Sequence, residues 1–223
     1  MKILAFDTST EYCSLALWLD GEILNREVLA GQRHSELLLP LLQELLEETG
    51  LTLAQMDGIA FGAGPGSFTG LRIACGVAQG LAFGMNLPVI GISTLEALAQ
   101  QTGDTNVIVA IDARMGEIYH AAYTKSVDDW QVVSEPSLCL PQQAPMVSGS
   151  NWTACGSGFA KYDETLRSRY QGSIGRIAGE LIPRAREMVQ LAVPRFLGGL
   201  ALDPADAAPL YIRNKVALKE SER

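Results

Sequence analysis

The chain is poor in the residues from which most simple catalysts are built. It holds two histidines in 223 residues, His34 and His120. Two imidazoles cannot fill the three or four positions of a zinc centre, and neither sits in a recognisable triad motif. The four cysteines (Cys13, Cys75, Cys139, Cys155) lie far apart without a CxxC pair. That spacing excludes a zinc ribbon or a disulfide framework and predicts buried thiols in a reducing compartment. Positive charge is also scarce: 17 Lys and Arg against 25 Asp and Glu leave a net charge of −8. A broad nucleic-acid-binding face is therefore not expected, although a small local basic cluster is allowed. The start, Met1-Lys2, runs straight into strand-like sequence with no signal-peptide pattern, so the expected compartment is the cytoplasm.

What is present in quantity is glycine, concentrated between Phe61 and Met85 in FGAGPGSFTGLRIACGVAQGLAFGM. A short apolar strand runs into four glycines and a proline, then into a helix that Ser67 or Thr69 can cap. Free N–H groups at such a turn suit an anion, and the glycines let the backbone approach it. Within the helix, Gly76, Gly80 and Gly84 recur every fourth residue beside a row of Ala74, Ala78 and Ala82. Each mid-helix glycine costs about 1 kcal/mol against alanine, so the row needs a packing reason. Either the helix presses its glycines on its own sheet, or the glycine face docks another chain. Arg72, Gln79 and the glycines themselves argue against a membrane span, and none is expected.

The remainder reads as an α/β chain. Strands are expected at 2–7, 13–19 and 22–29, the last two joined by the hairpin signal Asp20-Gly21. A helix over 35–49 is closed by Gly50, with Pro40 marking either a kink or a late first turn. Seven leucines in it (37, 38, 39, 41, 42, 45, 46) exceed the single stripe that a sheet-covering helix needs. The surplus suggests an interdomain contact or a subunit interface. A strand over 56–62, the glycine-rich helix, a strand over 88–92 and a helix over 93–101 follow. In the last helix, Ser93 and Glu96 have capping-box spacing.

The second half repeats this order. NVIVAID at 106–112 matches KILAFD with Ile3 over Ile108, Ala5 over Ala110 and Asp7 over Asp112. A hairpin around Asp128-Asp129 follows, then WTACGSG at 152–158 in parallel with IAFGAGPG, then a helix-like segment to Tyr170. A period this long indicates a duplicated domain. The expected division is 1–103 for the first domain and 104–223 for the second. A helix over 182–197 starts at Pro183, and the tail beyond Asp203 is loop, packing back on the first domain in part.

Two halves of this order, with an aspartate closing each first strand, resemble the actin–hexokinase–Hsp70 superfamily of ribonuclease H-like folds. Six stretches, KILAFDTST, HSELLLPLL, AFGAGPGSFTGLRIACGVAQGLA, IGISTLEALA, AIDARMGEIYHAAY and PLYIRNKVA, are together similar to the bacterial TsaB (YeaZ) family. The resemblance spans nearly the whole chain. It implies two superfamily domains on mixed sheets and a noncatalytic paralogue of TsaD, the subunit that transfers a threonylcarbamoyl group to adenosine 37 of tRNAs reading ANN codons. It also implies a homodimer when alone, a heterodimer with TsaD through two first-domain helices, TsaE as a further partner, and tRNA contact only inside the complex. TsaD-type proteins hold a metal with two histidines four residues apart. Here His34 is followed by Leu38, so no metal is expected.

On this reading the partner interface is His34, Leu37, Leu41 and Glu44 on one helix and Arg72, Gly76, Gln79 and Gly80 on the other. A vestigial nucleotide or anion loop would comprise Asp7, Thr8, Ser9, Gly64, Gly66, Ser67 and Thr69. The turn after Asp7 lacks the glycine of superfamily phosphate loops, and its counterpart carries Arg114 and Met115. Asp7 is therefore expected to cap its own turn, Ser67 to cap a helix and not to act as a nucleophile, and no ATP or ADP to be required. The rival reading is an ATP-dependent kinase or hydrolase working through Asp7 and residues 64–69.

Overall fold

The computed structural model describes residues 1–126, 129–179 and 181–213. Asp128 of the expected second hairpin and the tail 214–223 lie outside the described residues. The first half contains β1 (Lys2–Asp7), β2 (Tyr12–Leu19), β3 (Glu22–Leu29), α1 (His34–Thr49), β4 (Gly58–Gly64), α2 (Phe68–Met85), β5 (Val89–Ser93) and α3 (Thr94–Thr102). The second contains β6 (Asn106–Asp112), β7 (Ile118–Lys125), β8 (Trp130–Cys139), β9 (Trp152–Cys155), α4 (Ser157–Lys161), α5 (Asp163–Arg169), β10 (Ile174–Ala178) and α6 (Ala185–Leu197).

Local chemistry accounts for many of these limits. Asp20 and Gly21 both have positive φ (50° and 112°), the twist a two-residue hairpin requires. Gly50 ends α1 in the left-handed conformation at φ 66°, its N–H turned back to Glu47 O and Leu46 O. Ser67 begins α2, its side chain accepting from the Gly70 N–H. Pro40 lies inside α1, well past the first turn.

Two five-stranded mixed sheets result, ordered β3-β2-β1-β4-β5 and β10-β9-β6-β7-β8. Each has a parallel trio continued by an antiparallel hairpin, so the duplication holds at the level of topology. This is the two-lobed architecture of the actin–hexokinase–Hsp70 superfamily. α1 and α2 cover the outer face of the first sheet through Leu38, Leu42, Leu45, Ala74 and Ala78 against Leu4, Phe6 and Leu15. Phe159, Leu166 and Tyr170 of the second half cover Ile108 and Ala110 of the other sheet. Between the sheets lies a shared core in which Leu95 and Leu98 of α3 and Met188, Val189 and Ala192 of α6 meet Ile3, Ala5, Val107 and Val109. Each half thus contributes a helix to the layer that joins the lobes. β1 is a nearly continuous apolar run because it is covered on both faces.

Several expectations fail. The residue-by-residue match of the two halves is one position out of phase. Ile3 and Ala5 face the central layer, whereas Ile108 and Ala110 face outward. An odd offset turns every side chain to the opposite face. Ser93 and Glu96 form no capping box: Ser93 makes no cap bond, and Glu96 is ion-paired to Arg195 of α6. Pro183 precedes α6, whose cap is Arg184. The segment to Tyr170 is two helices broken at Tyr162. β10 was not expected, and its sequence, IGRIA, places a glycine and an exposed arginine in a short edge strand.

Candidate partner-binding face and interlobe cleft

α2 places its two rows of small residues on different faces. Ala74, Ala78 and Ala82 are fully buried against the sheet. Gly76, Gly80 and Gly84 face away, and among the described residues a Cβ built on any of them meets nothing within 4 Å. The glycines are therefore not what lets α2 lie close to its own sheet. Along the same exposed face run Arg72, whose guanidinium lies 3.4 Å from the Phe68 ring centroid, and Phe83, which is 76% exposed. Met85, at the end of α2, and Leu39 of α1 are about half exposed, at 46% and 48%.

The other interface residues divide. Glu44 is exposed, while Leu37 and Leu41 are half-buried against the core beneath α1. His34 is buried, with Nε2 3.2 Å from the Tyr12 carbonyl, and is withdrawn from the surface as a lock between α1 and β2. Gln79 is likewise occupied: its amide donates to the Pro204 and Ala207 carbonyls at 3.3 and 3.1 Å. Gly84, part of the expected glycine row, and Phe83, which was missed, also belong to the exposed face. The i+7 spacing of Phe83 from Gly76 is the signal that would have found it.

The second candidate is a cleft of about 1210 Å³ between the lobes, bordered by Ser9, Gly66, Thr69, Asp112, Arg114 and Lys161 among others. At its root, the loop after β1 is bolted to the start of α2. The Ser67 N–H donates to the Ser9 carbonyl at 2.8 Å, and Thr8 Oγ1 donates to the Gly70 carbonyl at 2.7 Å. Any side chain at Gly70 would overlap the Thr8 carbonyl, and one at Gly66 would come within 2.8 Å of Ser9. Gly64, at φ 118°, is closed in by Leu71 and the Leu210 carbonyl. These glycines are needed because two protein segments touch there.

Asp7 is fully buried in this arrangement. Its Oδ2 accepts from the Ser9 N–H at 3.1 Å and the Ser9 hydroxyl at 2.7 Å. Its Oδ1 has no partner, and the missing side chain of Gly62 makes room for it. Burial pushes the carboxyl up to about 6, against the lowering effect of the Ser9 bonds. Asp112 makes the same turn with its acceptor on the Arg114 N–H at 3.1 Å, yet it faces α4 and pairs with Lys161 at 2.8 Å. Burial raises it, but the bonds from Lys161 and Arg114 outweigh that and hold it below the usual carboxylate range. Among the described residues no group of three or more His, Cys, Asp or Glu could hold a metal ion. Among them, too, no helix is long and apolar enough to cross a membrane.

The family described as "TsaD: tRNA N6-adenosine threonylcarbamoyltransferase" matches residues 27–194, which span both sheets. The tRNA threonylcarbamoyladenosine biosynthesis protein TsaB of Escherichia coli K12 is 38% identical over 230 residues, covering 99% of this chain and 98% of that protein. The chain belongs to the TsaB family. The TsaB protein of Haemophilus influenzae is 39% identical over 99% of this chain and 97% of its own length. The solved structure of YeaZ from Pseudomonas aeruginosa is similar at a TM-score of 0.87 and 35% identity, covering 94% of this chain and 99% of that one.

Proposed function

We propose that the chain takes part in tRNA threonylcarbamoyladenosine biosynthesis as a noncatalytic subunit that grips TsaD, with TsaE as a further partner, and pairs with itself when alone. The observation that carries this reading is the open glycine row of α2. Gly76 and Gly80 lie mid-helix and weaken it by about 2 kcal/mol together, Gly84 lies in its last turn, and among the described residues nothing comes within 4 Å of a Cβ built on any of the three. A facing helix can approach such a surface to backbone contact and bury Phe83 as it does so. Leu37, Leu41, Glu44 and Arg72 extend the face; His34 and Gln79, which are engaged internally, are left out of it.

The noncatalytic part of the reading is supported by the packing at Asp7. A carboxylate with one oxygen tied to its own turn and the other sealed behind Gly62 has no path to a bound substrate. The loop after β1 and the start of α2 are closed on each other at Gly66 and Gly70, which leaves no gap between those two backbones. The expected outcome of calorimetry with ADP and the purified chain is therefore no measurable heat.

The test of the interface is co-elution. The wild-type chain mixed with TsaD is expected to elute as a complex from a size-exclusion column. Gly80→Leu, whose Cβ meets nothing within 4 Å among the described residues, is expected to remain folded and elute alone. A normal complex with Gly80→Leu overturns the assignment of the face. Turnover of ATP by the chain alone, abolished in Asp7→Ala, overturns the noncatalytic reading.

A further inference from the structure

Beyond α6 the chain returns as a strap along the first lobe and ends its described part on the second. On the first lobe it is held mainly through backbone. Leu202 and Val89 exchange two hydrogen bonds of 2.8 and 3.0 Å, and the Leu210 N–H donates to the Ala63 carbonyl at 2.7 Å. Between them the Ala207 carbonyl accepts from Gln79 at 3.1 Å. The Tyr211 ring then packs 5.7 Å from that of Phe68. Among the described residues Arg213 makes the polar attachment on the second lobe, while its neighbour Ile212 packs on the layer shared by both. Arg213 pairs with Glu117 at 2.8 Å and donates to the Ala113 carbonyl at 2.9 Å.

Those two acceptors are the two ends of the turn joining β6 to β7, which the Ala113 N–H closes on the Glu117 carbonyl at 2.9 Å. Inside the turn Arg114, Met115 and Gly116 have successive φ of 64°, 54° and 78°. Two adjacent non-glycine residues in the left-handed region are strained and persist only where surrounding contacts over-determine them. Among the described residues the strap therefore has several backbone anchors on the first lobe and an ionic one on the second, and the ionic anchor clasps a strained turn.

We propose that Arg213 is a releasable latch: it holds the two lobes at their present separation across the cleft, and its release lets the turn 113–117 relax and the cleft widen. The shared layer of α3 and α6, which packs on both sheets and on which Ile212 of the strap also rests, serves as the hinge.

The latch is tested by distance. Nitroxide labels at Gln32→Cys and Ala160→Cys, exposed positions on opposite sides of the cleft, are introduced into a Cys139→Ser background, the other thiols being buried. Diluted with an excess of unlabelled chain, so that pairing between copies adds no distances, the labelled full chain is expected to give one narrow distribution. Arg213→Ala is expected to shift it to longer distances and broaden it, with Arg213→Lys intermediate because a lysine keeps the charge but not the fork. Should Arg213→Ala fail to fold, Glu117→Gln, which leaves the strap intact, is expected to show the same shift. Hydrogen exchange in the variants is expected to rise at least about tenfold over 112–118, the factor equal to about 1.4 kcal/mol, with 94–102 unchanged. An unchanged distance distribution in a folded variant overturns the latch. So does equal acceleration over 94–102, which would make Arg213 a contributor to global stability only.

Discussion

One substitution made twice in α2 separates the two kinds of glycine in the chain. At Gly80 a methyl group meets nothing within 4 Å, so Gly80→Ala changes the isolated chain only through helix propensity, a gain of up to about 1 kcal/mol. In a chain of this length that corresponds to a rise in Tm of about 2–4 °C. At Gly70, ten residues earlier, the methyl falls on the Thr8 carbonyl, a backbone atom that cannot rotate away. The same propensity gain is then set against an overpacking cost of about 1–3 kcal/mol or more, and the net expectation is a loss of about 1–2 kcal/mol. Urea unfolding followed by tryptophan fluorescence reads both, because Trp18 lies in the first lobe and Trp130 and Trp152 in the second. Working at several protein concentrations removes any contribution from self-association. Stabilisation by Gly80→Ala together with weakened assembly is the expected pair of results. If Gly80→Ala destabilises the chain at low concentration, the glycine row is packed within the monomer and the argument from open space is refuted.

Other consequences concern charge. Asp7, raised to about 6 by burial, favours its protonated form in the fold, so it makes stability fall as pH rises from about 4 to 6, by about 3 kcal/mol. His120 is lowered to about 4 by burial, so it makes stability rise with pH between about 4 and 6.5, by a similar amount. The two nearly cancel, and the wild-type urea midpoint is expected to be almost flat across that window. Asp7→Asn is expected to unmask the His120 slope, losing stability on acidification; a variant profile parallel to wild type refutes the account. Arg195→Met leaves Glu96 largely buried without its partner and is expected to lower stability by about 3 kcal/mol. Restoration by Glu96→Gln in the double mutant checks that the lost pair is the cause.

Sequence alone settled whatever depends on a few adjacent residues. Asp20-Gly21 reads as a tight hairpin and Gly50 as a helix end because only small or short polar residues tolerate the backbone angles required there. Ser67 reads as a cap because its hydroxyl reaches the N–H three residues on. The duplicated order of strands and helices was legible for the same reason, being a string of such local signals. Which face a residue occupies was not. Asp7 and Asp112 close similar strands, yet one faces the buried central layer and the other α4, because a single-residue slip inverts a strand and no local signal reports it. His34 and Gln79, polar residues on candidate helix faces, were turned inward by the Tyr12 and Ala207 carbonyls, partners 22 and 128 residues distant. The exchange of α3 and α6 into the layer between the sheets, and the landing of Arg213 on Glu117, likewise join segments far apart in the chain. Those pairings are chosen by which apolar faces remain uncovered once both sheets exist, and that choice is made only in three dimensions.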